Sequence, residues 1–140
     1  MASPTFITSL RTQYSYVASQ CELIKVLAAL AEASINVLAL NLKQQWGKSF
    51  NVDMVLGPVD NGSKTISKKV VAILKRLEIN YQVRTVSYIN IPTLEIPGTY
   101  LRIITAITPR VKIYQFYGAE NGIIIDSSHP ADVNEMVSSL

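Results

Sequence analysis

The stretch Ser19–Val37, SQCELIKVLAALAEASINV, decides how the first half of the chain is organised. It opens with Ser19 and Glu22, a pair typical of a capping box, in which each side chain accepts a hydrogen bond from the backbone amide of the other residue. The sequence therefore predicts a helix that ends near Ser34 and is followed by a strand from Ile35. Helical spacing predicts that its buried stripe contains Cys21, Ile24, Leu27, Ala28, Ala31 and Ile35.

Segments with strand and helix patterns surround this first helix. Strand residues with alternating or β-branched character precede it and follow it, and a second amphipathic helix comes later. These further segments are Thr5–Arg11, the hairpin Ile35–Gln44 with Phe50–Leu56, the helix Lys64–Leu77 and the strand Gln82–Ile91. The order βαββαβ predicts an α+β ferredoxin-like sandwich, with antiparallel strands and both helices on one face.

The rest of the chain repeats the same order in a shorter form. Its segments are a strand Val86–Ile91, a helix Tyr100–Ile107, a hairpin Val111–Tyr117 with Gly122–Asp126, and a helix that Pro130 opens. No segment remains for a last strand, so this sheet has three strands or takes its edge from a partner chain. We therefore expect two domains, 1–85 and 86–140, and a homodimer.

Composition excludes several classes of protein. The chain has 140 residues, 49% hydrophobic and 16% charged, which predicts a globular protein and excludes a disordered one. One cysteine and one histidine exclude an internal disulfide and a structural zinc site. A basic leader followed by an apolar run is missing, and so is an apolar stretch of ~18 residues, so we expect a cytoplasmic protein without a membrane segment.

The residue patterns that carry catalysis are also missing. His129 stands beside Asp126, Ser127 and Ser128, but neighbours in sequence are not thereby aligned, and a helix-opening turn is favoured over a hydrolase triad. An acylphosphatase-like use of this fold needs an arginine in a phosphate loop, and only Arg11 stands near the first loop. We find no glycine-rich phosphate loop and no set of metal ligands. The sequence predicts a protein that is not an enzyme and holds no metal or other cofactor.

Two stretches resemble tandem ACT domains, small ligand-sensing modules attached to, or acting on, enzymes of amino-acid metabolism. Leu27–Val37 is similar to the family's Leu-Ala-rich helix followed by Gly-Ile-Asn, with Ser34 in place of the glycine. Ile96-Pro97-Gly98-Thr99, followed by Leu101–Ile104, resembles the family's Pro-Gly loop at the start of its first helix. The first copy departs from this pattern, because its loop reads Gln13-Tyr14-Ser15-Tyr16, and the second copy lacks Gly-Ile-Asn in Ala106–Val111.

In the ACT family, ligands commonly bind where the first loop of one domain meets the start of the second strand of another. A glycine after proline lets a ligand approach the backbone, and amides at a helix start favour a carboxylate. The resemblance therefore implies one ligand site, built from Pro97, Gly98, Thr99, Tyr100, Ile35, Asn36 and Val37. The alternatives are a plain helix-opening turn at Pro97–Gly98 and an ordinary strand residue at Asn36.

Three functions follow as hypotheses. The resemblance implies a regulatory protein that binds an amino acid or similar small carboxylate and signals to a partner enzyme. A ligand-free dimeric adaptor of the same fold is the second hypothesis, because Tyr14 and Tyr16 would fill the first pocket. RNA or an acidic partner is the third, through the helix Lys64–Arg76, whose cations are Lys64, Lys68, Lys69, Lys75 and Arg76.

Aromatic residues argue against nucleic acid. Ferredoxin-like RNA binders stack bases on exposed rings of their central strands. Phe50 alternates with core residues and is expected to point inward. Tyr114, Phe116 and Tyr117 share one strand, so at least one of these rings should be exposed.

Overall fold

Strands and helices alternate along the chain as the sequence predicts. The structure, a computed structural model, describes residues 6–45, 47–57, 63–91 and 97–140. Thr5 and Ile96, which belong to two of the predicted motifs, lie outside the described residues. The elements are β1 (Ile7–Ser19), α1 (Gln20–Glu32), β2 (Asn36–Gln44), β3 (Ser49–Gly57), α2 (Ser63–Arg76), β4 (Tyr81–Asn90), α3 (Thr99–Ile107), β5 (Ile113–Ala119), β6 (Gly122–Ser127) and α4 (Pro130–Ser138).

The start of α1 confirms the predicted capping box. The amide of Glu22 donates to Ser19 Oγ at 3.2 Å, and the amide of Ser19 donates to Glu22 Oε1 at 2.9 Å. The hydrogen bond from the Ser19 amide, supported by the Ser19 side chain, lowers the pKa of the Glu22 carboxyl below its ordinary value. The first turn of α1 is therefore fixed by a pair of residues that can be read from the sequence.

The predicted buried stripe of α1 is wrong for four of its six residues, since Cys21, Ile24, Ala28 and Ala31 are exposed, whereas Ile35 is buried and Leu27 packs against the core. Leu23, Val26 and Leu30 are the buried residues of this helix, whereas Cys21 and Ile24 face solvent. Most of the helix is apolar, so two neighbouring stripes both satisfy a helical period. The buried stripe carries the larger branched side chains, which cover more apolar area than the alanines of the predicted one.

The chain divides into two compact units. Thr12–Arg84 forms one, called here the central unit, and Met1–Arg11 with Thr85–Leu140 forms the other, called here the terminal unit. One boundary lies beside the expected one at residue 85, whereas residues 1–11 group with the C-terminal part of the chain. Both β1 and β4 contribute residues to each unit.

In the central unit the strand order is β2-β3-β1-β4. The β2–β3 and β1–β3 pairs are antiparallel, with Tyr16 opposite Val52 and Leu40 opposite Met54. Both helices pack on one face of this sheet, as predicted for the βαββαβ order. The core consists of Tyr14, Tyr16, Ala18, Leu23, Val26, Leu30, Ile35, Val52, Met54, Leu56, Val70, Ile73, Leu74 and Ile79.

In the terminal unit the strand order is β1-β4-β6-β5. Its core consists of Phe6, Ile89, Ile91, Ile103, Ile107, Val111, Ile123, Ile125, Val133 and Val137. The N-terminal part of β1 takes the place that we predicted to be empty or filled by a partner chain. Phe6 lies in this core, and Thr8 Oγ1 donates to the carbonyl oxygen of Asn134 in α4 at 3.5 Å.

This correction has a simple physical cause. β1 runs for 13 residues, from Ile7 to Ser19, whereas the sequence predicted a strand only to Arg11 and a loop at Gln13–Tyr16. A strand of this length contributes residues to both units in succession. The missing strand was the reason to expect a homodimer through a sheet edge, and that reason no longer holds.

No helix among the described residues is long and apolar enough to cross a lipid bilayer.

Candidate functional site

The Pro-Gly turn before α3 lies in the terminal unit, and among the described residues no side chain caps the start of that helix. Gly98 is the N-cap residue, with φ 86° and ψ 6°, and it has no side chain to cap the helix. Its carbonyl oxygen accepts from the amide of Arg102 at 2.9 Å, which closes the first turn. Pro97 and Gly98 are exposed, Thr99 is buried and Tyr100 is half exposed. The N-terminal end of α3 therefore presents partial positive charge without a side-chain cap.

The corresponding start of α1 in the central unit is closed. β1 ends at Ser19 and α1 begins at Gln20, so no loop separates strand from helix. The capping box uses the Ser19 hydroxyl and the Glu22 carboxylate at this end. Tyr14 and Tyr16, which we expected in a first loop, lie inside β1 and in the core. Within the parts of the chain that the structure describes, α1 therefore starts with a capping box, whereas α3 starts at a turn without a side-chain cap.

Residues of the first turn of α3 make two aromatic contacts that the sequence did not predict. The rings of Tyr100 and Phe116 meet edge to face, with centroids 5.6 Å apart. The guanidinium carbon of Arg102 lies 5.4 Å from the centroid of the buried Phe6 ring. A cation one turn into α3 adds to the positive potential of the helix start. Arg102 stands within the Leu101–Ile104 segment of the family resemblance, but its partner Phe6 is far away in sequence.

The other predicted part of the site, Ile35-Asn36-Val37, lies in the central unit. Ile35 belongs to the core, Asn36 is exposed as the first residue of β2, and Val37 is half buried. The pairing register of β2 with β3 shifts between Val37 and Ala39, which is a β-bulge directly after these residues. Asn36 and Gly98 belong to different units, and the composite site remains a prediction.

The His129 loop takes the form of a helix-opening turn. His129 Nδ1 lies 3.0 Å from Ser128 Oγ, and that hydroxyl also accepts from the amide of Lys112 at 3.1 Å. Pro130 occupies the first turn of α4, as predicted. The Ser127 hydroxyl is buried inside the protein, away from the exposed imidazole. These contacts do not form a nucleophile, base and acid in series.

Arg11 does not cradle a phosphate loop. It lies within β1, where its Nε donates to Ser9 Oγ at 3.0 Å and its guanidinium lies 5.2 Å from the centre of the Tyr88 ring. Burial lowers the pKa of Arg11, while the interaction with Tyr88 acts in the opposite direction. In the described ranges there is no group of three or more His, Cys, Asp or Glu residues placed to hold a metal ion.

The central strands of the central unit offer no stacking platform for bases. Tyr14, Tyr16 and Phe50 are the aromatic residues of β1 and β3, and all three belong to or pack against the core, which confirms the inward orientation of Phe50. The opposite sheet face carries polar contacts instead, among them Ser15 Oγ donating to Asp53 Oδ1 at 2.7 Å. Tyr114 is half exposed on β5, which confirms that one ring of its strand faces solvent.

Comparison with solved structures identifies the same fold elsewhere. The regulatory subunit of aspartate kinase from Thermus thermophilus, in its ligand-free form, aligns with TM-score 0.66 and 14% identity over 99% of this chain and 98% of that chain. A protein from Bacteroides thetaiotaomicron aligns with TM-score 0.70 and 19% identity over 94% of this chain and 89% of that one.

A longer enzyme contains the same fold. Aspartokinase III from E. coli, in complex with lysine and aspartate in the T state, aligns with TM-score 0.53 and 15% identity over 99% of this chain and 33% of that chain. The sequence matches no protein-family model and no curated protein. The structural likenesses nevertheless confirm the predicted architecture: this chain has the α+β, ACT-like fold of aspartate kinase regulatory subunits.

Proposed function

We propose that this chain is a regulatory protein that binds an amino acid, or a similar small carboxylate, at the N-terminal end of α3. The observation that carries the proposal is the start of that helix at Gly98, which has no side-chain cap among the described residues, with the cation Arg102 one turn further along α3. Backbone amides at a helix start bind a carboxylate well, and a glycine there allows close approach. Pro97, Gly98, Thr99 and Tyr100 form this half of the site.

We assign Ile35, Asn36 and Val37 to the same site as its second half. The exposed Asn36 side chain provides a donor and an acceptor, which suit the carboxylate and ammonium groups of an amino acid. The β-bulge after Val37 supports this assignment, because bulges commonly redirect side chains near binding sites. The bound lysine and aspartate of the E. coli enzyme support an amino acid as the class of ligand.

Under this proposal the protein is a cytoplasmic homodimer that regulates a partner enzyme of amino-acid metabolism. The likeness to aspartate kinase regulatory subunits over nearly the full length of both chains supports this role. No cofactor is part of the proposal. Ligand binding would regulate the partner enzyme because the ligand-bound and ligand-free forms of this chain bind that enzyme with different affinities.

A thermal-shift panel of the proteinogenic amino acids and related acids tests the proposal. A ligand at 100 times its dissociation constant adds ~2.7 kcal/mol of stability, which raises the melting temperature by several degrees. We expect one or a few amino acids to give this shift at millimolar concentration. A flat panel would count against the binding proposal as a whole.

The matched variants Gly98→Ala and Gly47→Ala locate the site. Both glycines have positive φ, 86° and 82°, and a Cβ at either position would meet no atom within 4 Å. The two substitutions therefore carry similar backbone strain, but only Gly98 lies at the start of α3. We expect Gly98→Ala and Asn36→Ala to weaken binding by at least about tenfold. Equal effects from Gly98→Ala and Gly47→Ala would remove α3 from the site.

The ligand-free adaptor remains a second candidate, because Tyr14 and Tyr16 fill the core of the central unit and the start of α1 is capped. Under this hypothesis neither unit takes a ligand and the protein acts through its surfaces alone. A flat thermal-shift panel together with stable association in sedimentation would support it. A ligand-specific shift that Gly98→Ala removes would exclude it.

A further inference from the structure

Helix α2 carries an excess of positive charge. Five of the 14 residues of the helix are Lys or Arg, and none is acidic. Ser67, Val71 and Ala72 line a shallow groove of about 510 Å³, and Lys68 and Lys75 flank it. Both ammonium groups are exposed, and the structure shows no hydrogen bond or ion pair for either among the described residues. This cationic stripe is therefore available to an outside partner.

A groove of the opposite character runs between the end of α3 and α4. Asp132, Glu135 and Met136 of α4 and the C-cap residue Ser139 recur at helical spacing along one wall, and the groove has a volume of about 620 Å³. Its other wall consists of Ala106, Pro109 and Arg110. α4 contains two acidic residues and no Lys or Arg. The two carboxylates are exposed and make no side-chain bond within the part of the chain that the structure describes.

The two surfaces are opposite in charge. Each has an apolar centre, Val71 with Ala72 on α2 and Met136 with Ala106 at the groove. Lys68 and Lys75 lie about 10 Å apart along their helix, since seven residues rise 1.5 Å each, whereas Asp132 and Glu135 lie about 4.5 Å apart along α4. The long, flexible lysine side chains can converge on the two carboxylates. Arg110 is the one cation in the described lining of the groove, and it leaves the groove with a net negative charge.

We propose that α2 of one copy of the chain docks into the α3–α4 groove of a second copy, with Lys68 and Lys75 against Asp132 and Glu135. A second copy is the occupant that the structure favours, because the same chain carries both complementary surfaces. The N-terminal part of β1 already fills the strand position through which we had expected two copies to pair, so the helices offer the alternative route. Helices of 14 and 9 residues bury little area, so we expect weak, salt-sensitive association.

The contact is independent of the proposed ligand site. None of its four charged residues belongs to the Pro97–Tyr100 turn or to the Ile35–Val37 segment. A failure of this contact therefore leaves the thermal-shift response to amino acids unchanged. A failure of the amino-acid panel likewise leaves the self-association test intact.

Charge reversal followed by mixing tests the contact in sedimentation velocity. The first variant combines Lys68→Glu with Lys75→Glu, and the second combines Asp132→Lys with Glu135→Lys. We expect the wild type to associate at high micromolar concentration in low salt, and each variant alone to associate at least about tenfold more weakly. An equimolar mixture of the two variants should associate again, because each cationic stripe then meets an anionic one.

A third variant controls for net charge. Lys69→Glu with Arg76→Glu changes the charge of α2 by the same amount on a neighbouring face, and it should leave association close to wild type. Restored association in the mixture also shows that both variants are folded. A monomeric wild type, variants that associate as well as the wild type, or a mixture that stays monomeric would each overturn the proposal. So would binding of single-stranded RNA at low salt that requires Lys68 and Lys75 in a chain that does not self-associate.

Discussion

The amide of Ile35 donates to the carbonyl oxygen of Leu30 at 2.9 Å and closes the C-terminal end of α1. The amide of Ser34 donates to Ala31 at 3.0 Å, and Ser34 itself has φ 58°. These two bonds form a Schellman motif with the left-handed residue at Ser34. The end of α2 repeats the arrangement, with Glu78 in the left-handed position at φ 58°.

Glycine at these two positions should stabilise the protein. A residue with a Cβ is destabilised by about 1–2 kcal/mol in the left-handed conformation. Glycine avoids this strain, but it loses more conformational entropy on folding, which cancels part of the gain in stability. We expect Ser34→Gly and Glu78→Gly each to raise the free energy of unfolding by about 0.5 kcal/mol in urea titrations. Ala33→Gly is the matched control, since Ala33 has φ −83°, and it should destabilise instead. A loss of stability in Ser34→Gly would show that the motif is not strained.

The two ends of α1 could be predicted from the sequence, whereas its buried face could not. The sequence predicted that α1 ends near Ser34, and the capping box predicted the first turn of α1. Both signals are local, because the groups that interact lie within six residues of one another. The choice between two apolar stripes of α1 is not local, since it depends on which side chains the sheet can cover. Cys21 and Ile24 were placed on the wrong side for that reason.

Cys21 is predicted to react freely with thiol reagents in the native state. Its side chain is exposed on α1, although the helical pattern had placed it in the buried stripe. We expect one thiol per chain to react with a disulfide reagent under native conditions as fast as in denaturant. Cys21→Ser should change the free energy of unfolding by less than about 0.5 kcal/mol, as is usual for surface substitutions. Protection of the thiol in the folded protein would restore the predicted stripe.

Two glycines of the β5–β6 hairpin should differ sharply in their tolerance of alanine. A Cβ at Gly122 would overlap the carbonyl oxygen of Ile89 on the adjacent strand, whereas a Cβ at Gly118 meets nothing within 4 Å. We expect Gly122→Ala to destabilise the protein by at least about 2 kcal/mol, because a backbone atom of β4 must move. Gly118→Ala should be neutral or slightly stabilising. Equal stabilities of the two variants in urea would contradict the close approach of β4 and β6.

In the candidate site, too, the sequence predicted the local features and missed the contacts between residues that are distant along the chain. Pro97 and Gly98 predict a helix-opening turn, and in the structure Gly98 has the left-handed conformation that glycine readily adopts. The contacts of Arg102 with Phe6 and of Tyr100 with Phe116 join residues that are distant along the chain. They depend on where β1 runs, and the length of β1 was underestimated because Tyr14 and Tyr16 were placed in a loop.

Tyr16 should make the stability of the protein fall at alkaline pH. Burial raises the pKa of its phenol above the ordinary value, and its hydroxyl donates to Met54 Sδ at 3.6 Å. Below the unfolded-state pKa of about 10 both states keep the proton, so the stabilisation is complete there. Above it the unfolded chain loses the proton first, and stability declines until pH passes the folded-state pKa. Urea titrations between about pH 9 and pH 11 should therefore show a steeper loss for wild type than for Tyr16→Phe, while near neutral pH the two slopes should agree. Parallel declines across the alkaline range would show that Tyr16 does not titrate in this way.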